Sequence, residues 1–168
     1  MKHSEKEEKR LLKVLFICLG NICRSPAAEG IMQQKVDKQG VSDRFLIDSA
    51  GIGNWHVGQL PDIRMRQQGA KRGYDFHHHA RQFIASEDFI HFDYIAVMDE
   101  ENYHTITSMA RSEEEKNKVV RMSNYLTHHK STTVPDPYYG SIQDFDYTLD
   151  LIEDCCTGLL TVLCPDIH

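Results

Sequence analysis

Residues 14–30 read VLFICLGNICRSPAAEG, with Cys18 and Arg24 six positions apart and Cys23 and Ser25 on either side of the arginine. A thiol and a guanidinium on one loop are the parts needed to attack a bound oxyanion. The thiolate is the nucleophile, and the planar fork of arginine can hold two oxygens of a phosphoryl group at once. That spacing is common by itself, and its setting is what gives it weight. The apolar run LKVLFIC before it reads as a strand covered on both faces. SPAAEGIMQQKVDKQG after it reads as a helix, with Ser25 as cap, Pro26 at the first helical position and Gly40 closing it. Parallel α/β sheets bind ligands beyond the carboxyl ends of their strands. A helix start there adds unpaired N–H groups and partial positive charge, which favour an anion and the thiolate of Cys18. The stretch lacks the glycine–lysine pattern of a nucleotide-binding loop. The plainer reading makes Cys18 and Cys23 buried fillers and Arg24 a solvated charge.

Displacing a phenolate or alkoxide from phosphorus also requires a proton donor. Asp136, in VPDPYYG, is the candidate, because Pro135 and Pro137 stiffen the backbone on both sides of its carboxyl. Without the cysteine loop the same residues would read as a plain Asp-Pro turn.

These residues need a frame. The 168 residues suit one domain with a sizeable core, and 40% hydrophobic and 26% charged content are ordinary for a globular chain. Strand-like and helical runs alternate, so the expected class is α/β with a parallel sheet. The strands are LKVLFIC, RFLIDSAG, DYIAVMD and, more weakly, VVRM; helical stretches lie around Pro61–Arg72, Ser86–Ile90 and Glu101–Arg111. The last helix is the clearest: Ile142, Phe145, Leu149, Ile152, Cys156, Leu159 and Leu163 recur every three or four residues as one apolar face. Before it, THHKSTTVPDPYYGS is a long polar loop of the kind that often carries function.

Together, CLGNICRS from Cys18 and DPYYG from Asp136 closely resemble the low-molecular-weight protein tyrosine phosphatases. The likeness continues through DSAGIGNWHVG at Asp48, HHAR at His78 and FDYIAVMDEEN at Phe92. It implies a single three-layer α/β domain over 12–168, with a four-stranded parallel sheet flanked by helices and a phosphate-binding loop after the first strand. It implies hydrolysis of phosphotyrosine in proteins, and of small aryl phosphates, through a cysteinyl phosphate, with no metal and no other cofactor. Carried over by position, Cys18 is the nucleophile, Arg24 the phosphate clamp and Asp136 the general acid and then base. Leu19, Gly20, Asn21, Ile22, Cys23 and Ser25 complete the loop around a phosphate or similar oxyanion. Asn21 and Ser25, with Ser49 and His78, form the network that holds its shape. Trp55, Tyr138 and Tyr139 match the aromatic wall of the pocket, although Trp55 could equally pack a loop onto the core. Cys23 could form a disulfide with an oxidised Cys18, or could serve only as a small residue beside Arg24.

The remaining features narrow the function class. Net charge is −6 and the basic residues are scattered, which argues against a nucleic-acid surface. No run is long and apolar enough to span a membrane. Residues 1–11 read as a flexible charged tail without the apolar core of a secretory signal. Five cysteines, an odd number, fit a reducing cytoplasm. Of the His77–His79 run only His78 fits the family pattern, so His77 and His79 are expected in solvent, and the Cys155–Cys156 pair is expected to pack. Three alternatives remain. A thiol-dependent arsenate reductase would lack further relay cysteines between Cys23 and Cys155, a phosphotyrosine-binding module would need neither Cys18 nor Asp136, and a zinc site would lack a second ligand pair.

Overall fold

In the computed structural model, residues 10–166 are described, and most of the charged tail expected at 1–11 lies outside them. Four strands, β1 (Leu12–Cys18), β2 (Phe45–Gly51), β3 (Tyr94–Val97) and β4 (Val119–Arg121), form one sheet in the order β2-β1-β3-β4. Every pairing is parallel. Strand β1 is central because its residues can be buried on both sides. Val14, Phe16 and Cys18 join one apolar cluster, and Leu15 and Ile17 join the other.

On the first face lie α1 (Arg24–Lys38) and α6 (Ile142–Leu163), which bring Ala27, Ile31, Phe145, Leu149 and Ile152 into one core with β1. Behind the sheet, α3 (Ala85–His91) and α4 (Glu100–Ser108) contribute Phe89 and Ile106 to the other. Two further helices are α2 (Ile63–Lys71) and the short α5 (Glu113–Asn117). The chain is therefore a three-layer α/β fold with a four-stranded parallel sheet.

The boundaries correct several expectations. Ser25 does not cap α1: Cys23 occupies the N-cap with no side-chain cap bond, and Pro26 is the third helical residue. The Ser25 hydroxyl has a different partner, described below. Gly40 does close the helix, at a φ of 71° that suits a residue without a side chain. Helix α5 was not expected, because EEEKN has no apolar period; the Ser112 side chain caps it by accepting from the Glu115 N–H. At the ends of the α6 stripe Ile142 is exposed and Leu163 only partly buried, whereas Cys155 and Cys156 are both buried.

Candidate active site

Strand β1 ends at Cys18 and α1 begins at Arg24, so residues 19–23 must turn within one tight loop. The loop carbonyls are tied from outside. Those of Cys18, Leu19 and Ile22 accept from the N–H groups of Ile52, Gly53 and Asp62 at 3.0, 2.9 and 2.7 Å. These bonds tie three carbonyls of the loop to the segments at 52–53 and 62. Gly51 makes the close approach possible: a Cβ there would sit 2.9 Å from the Asn21 nitrogen.

Asn21 carries the strain of the turn. Its φ is 58°, an uncommon conformation for a residue with a side chain. Four hydrogen bonds hold it there. The side-chain amide donates to Ser25 Oγ at 2.8 Å and Ser49 Oγ at 3.0 Å. Its oxygen accepts from the Arg81 N–H at 2.9 Å and lies 3.0 Å from His78 Nε2. That arrangement makes Nε2 the protonated nitrogen of His78. Asn21, Ser25 and Ser49 are all fully buried.

Cys18 Sγ lies 3.0 Å from Ser25 Oγ, a bond in which a thiolate would accept from the hydroxyl. Arg24 is only 2% exposed, and its Nη1 donates to Asp99 Oδ2 at 2.6 Å and to the Val134 carbonyl at 3.0 Å. Burial works against this charge, but Cys18, Asp99 and Asp136 outweigh it and raise the Arg24 pKa. Nη2 lies 3.6 Å from Asp136 Oδ2, and Nε, though buried, has no hydrogen-bond partner among the described residues. A buried guanidinium with an idle N–H beside a thiol is a ready oxyanion clamp.

A cavity of about 320 Å³ opens over this loop, lined by Cys18, Arg24, Trp55, His56, Asp136 and Tyr138 among others. Asp136 reaches it because the loop is pinned: the Val134 N–H donates to the Met98 carbonyl at 2.8 Å, and Thr148 Oγ1 to the Pro135 carbonyl at 3.3 Å. Trp55 and Tyr139 line the rim and are 64% and 96% exposed, so the core-packing alternative for Trp55 does not hold. His77 and His79 are exposed, as expected.

Two acidic residues to which the sequence motifs assign no role complete the site. Asp99, which orients Arg24, sits just beyond the carboxyl end of β3, where a charged residue is a recognisable signal. Glu29 follows Ser25 by one helical turn, accepts from Ser49 Oγ at 2.6 Å and lies 3.1 Å from His78 Nδ1. Burial pushes the Glu29 carboxyl up to about 7 and pushes the His78 imidazole down, so the pair favours its neutral forms. Ligand atoms of Glu29, Asp48 and His78 fall within 4.8 Å of one another, a possible metal cluster. Hydrogen bonds to Ser49 and Arg81 already occupy its two carboxylates.

The family model for low molecular weight phosphotyrosine protein phosphatase matches residues 13–167. The chain belongs to this family. A Synechocystis relative, slr0328, is 45% identical over 90% of this chain and 96% of its own. The low molecular weight phosphotyrosine protein phosphatase of Sus scrofa is 38% identical, over 88% and 92% of the two chains. Among solved structures, a protein tyrosine phosphatase from Entamoeba histolytica superposes with a TM-score of 0.88 at 41% identity, covering 92% of this chain and 98% of that one. As a member of the family, the chain is a protein-tyrosine phosphatase. No helix among the described residues is long and apolar enough to cross a membrane.

Proposed function

We propose that this phosphatase hydrolyses phosphotyrosine through a cysteinyl phosphate formed on Cys18. The observation that carries the reading is the convergence at one loop of the Cys18 thiol, the idle Nε of Arg24 and the Asp136 carboxyl. In the first step the Cys18 thiolate attacks phosphorus, an S–P bond forms and the P–O bond to the phenol breaks. Asp136 gives its proton to the departing phenolate. Arg24 and the loop N–H groups hold the equatorial oxygens, where charge is carried in the transition state. In the second step the Asp136 carboxylate takes a proton from water, the water oxygen bonds to phosphorus and the S–P bond breaks. The returning thiolate then accepts the hydrogen bond of Ser25 Oγ, 3.0 Å away.

The aromatic rim of Trp55, Tyr138 and Tyr139 supports an aryl rather than an alkyl phosphate, since a ring gains from an apolar wall. The Entamoeba structure holds Hepes in its active site, a sulfonate of the same tetrahedral geometry as phosphate. Five free thiols support the expected reducing, cytoplasmic setting.

The test is hydrolysis of phosphotyrosine with a chelator present, comparing wild type with Cys18→Ser. Turnover by the wild type, abolished in the variant while phosphate still binds, supports the reading. Full activity in Cys18→Ser overturns it.

A further inference from the structure

We infer that the Asp62–Arg64 pair is a positioning element for the aryl subsite, tying the phosphate loop to the Tyr138 wall of the pocket. The inference rests on the phosphatase reading above and concerns how that pocket grips a ring. Asp62 is linked to the loop through its backbone, whose N–H donates to the Ile22 carbonyl at 2.7 Å. Its carboxylate caps α2 by accepting from the Arg64 N–H at 2.8 Å. The same carboxylate takes both arms of the Arg64 fork, Nε on Oδ1 at 3.0 Å and Nη2 on Oδ2 at 2.8 Å. Two parallel bonds fix the plane of a guanidinium as well as its position.

That fixed guanidinium meets two rings. Its central carbon is 4.5 Å from the ring centre of Phe145, which is fully buried on α6, and 5.4 Å from that of Tyr138. Both distances are within the range of cation–π attraction. The other ring contacts of Tyr138 are Tyr139 at 4.9 Å and His56 at 6.3 Å, and Tyr139 is almost fully exposed. Arg64 thus joins the Tyr138 ring to the core and, through Asp62, to the loop that holds the phosphate. Neither Asp62 nor Arg64 lines the cavity, so the pair reaches substrate through its neighbours, and the Tyr138 route is the one specific to a ring.

The experiment compares Arg64→Met, which keeps most of the apolar stem, and Arg64→Lys, which keeps the charge but loses the fork. Each is assayed on p-nitrophenyl phosphate, on phosphotyrosine and on acetyl phosphate, which has no ring, with inhibition by inorganic phosphate measured alongside. The expected result for Arg64→Met is a KM raised about three- to tenfold on both aryl substrates with kcat within about twofold. KM for acetyl phosphate and inhibition by phosphate should change by less than about twofold, and Arg64→Lys should fall between. If acetyl phosphate and inorganic phosphate weaken in step with the aryl substrates, the pair merely supports the loop. If no KM moves, the pair is a surface ion pair. Either result overturns the inference. If Arg64→Met does not fold, Asp62→Asn keeps the α2 cap, weakens only the fork and must show the same aryl-selective split. Failure of the phosphatase reading looks different: wild type binds phosphate yet hydrolyses none of the three substrates.

Discussion

Asp99 holds Arg24 by one nitrogen: its Oδ2 accepts from Nη1 at 2.6 Å, while Nε has no hydrogen-bond partner among the described residues and Nη2 lies 3.6 Å from Asp136 Oδ2. The carboxylate has two opposed effects, orienting the fork and offsetting some of its charge. Orientation should dominate, because only an aligned fork makes two parallel bonds to a phosphoryl group. Asp99 also caps α4 by accepting from the Asn102 N–H at 2.7 Å, a task that asparagine can perform. Asp99→Asn should therefore keep the fold and lose about tenfold in turnover, in line with about 1.5 kcal/mol for a hydrogen bond to a charged group. Single-turnover kinetics beside a melting curve check this. Unchanged turnover would reduce Asp99 to a helix cap.

Asp136 should show itself through the leaving group. Phenol from tyrosine is a poor leaving group and needs its proton, whereas a strongly acidic phenol does not. Asp136→Ala should lose about 10²–10⁴ in kcat/KM, which covers only the steps up to release of the phenol, with phosphotyrosine and much less with a dinitrophenyl phosphate. Equal losses on both substrates would remove Asp136 from the role of acid.

Glu29 makes a prediction about pH. Its pKa stands at about 7 in the folded chain against an ordinary 4.5, so the folded state binds the extra proton between those values. The stabilisation from that proton is complete below pH 4.5, declines as pH rises and is gone above pH 7. His78, whose pKa is lowered, contributes the opposite slope, so the informative quantity is the difference between wild type and Glu29→Gln. Calorimetric Tm values should show wild type losing ground to the variant across that window. A difference that stays constant with pH would mean the carboxyl is ionised throughout.

Redox behaviour tests Cys23. Burial pushes its thiol pKa well up, with Cys18, Asp62 and Asp136 adding to the shift, so Cys23 resists ionising by itself. Its place in the cavity lining with Cys18 puts it where a resolving thiol would act, and the raised pKa slows its attack on a Cys18 sulfenic acid. Peroxide should inactivate wild type in a way that a dithiol reverses, with a Cys18–Cys23 link seen by mass spectrometry. Cys23→Ser should retain much activity and lose it irreversibly. Full recovery of that variant would leave Cys23 as packing.

Much of the chain's plan is local and could be read directly. The continuous apolar run of β1, the three-and-four spacing of α6 and the placing of Cys18 and Arg24 around one strand end are properties of neighbouring residues, and they appear in the fold where expected. The cap of α1 departs from local pattern, because Ser25 is a good cap by type but its hydroxyl is taken by Cys18 and Asn21. Which side chains support the loop was decided by tertiary structure alone. Arg81 reaches Asn21 because residues 81–83 run alongside the end of β2, where Gly51 N–H donates to the Arg81 carbonyl and Phe83 N–H to the Gly51 carbonyl. Asp99 meets Arg24, and Arg64 meets Tyr138, across 75 and 74 positions of chain. No local pattern encodes such distances: hydrogen bonds and ion pairs act over a few ångströms, and only the parallel crossovers of the sheet bring these residues within reach.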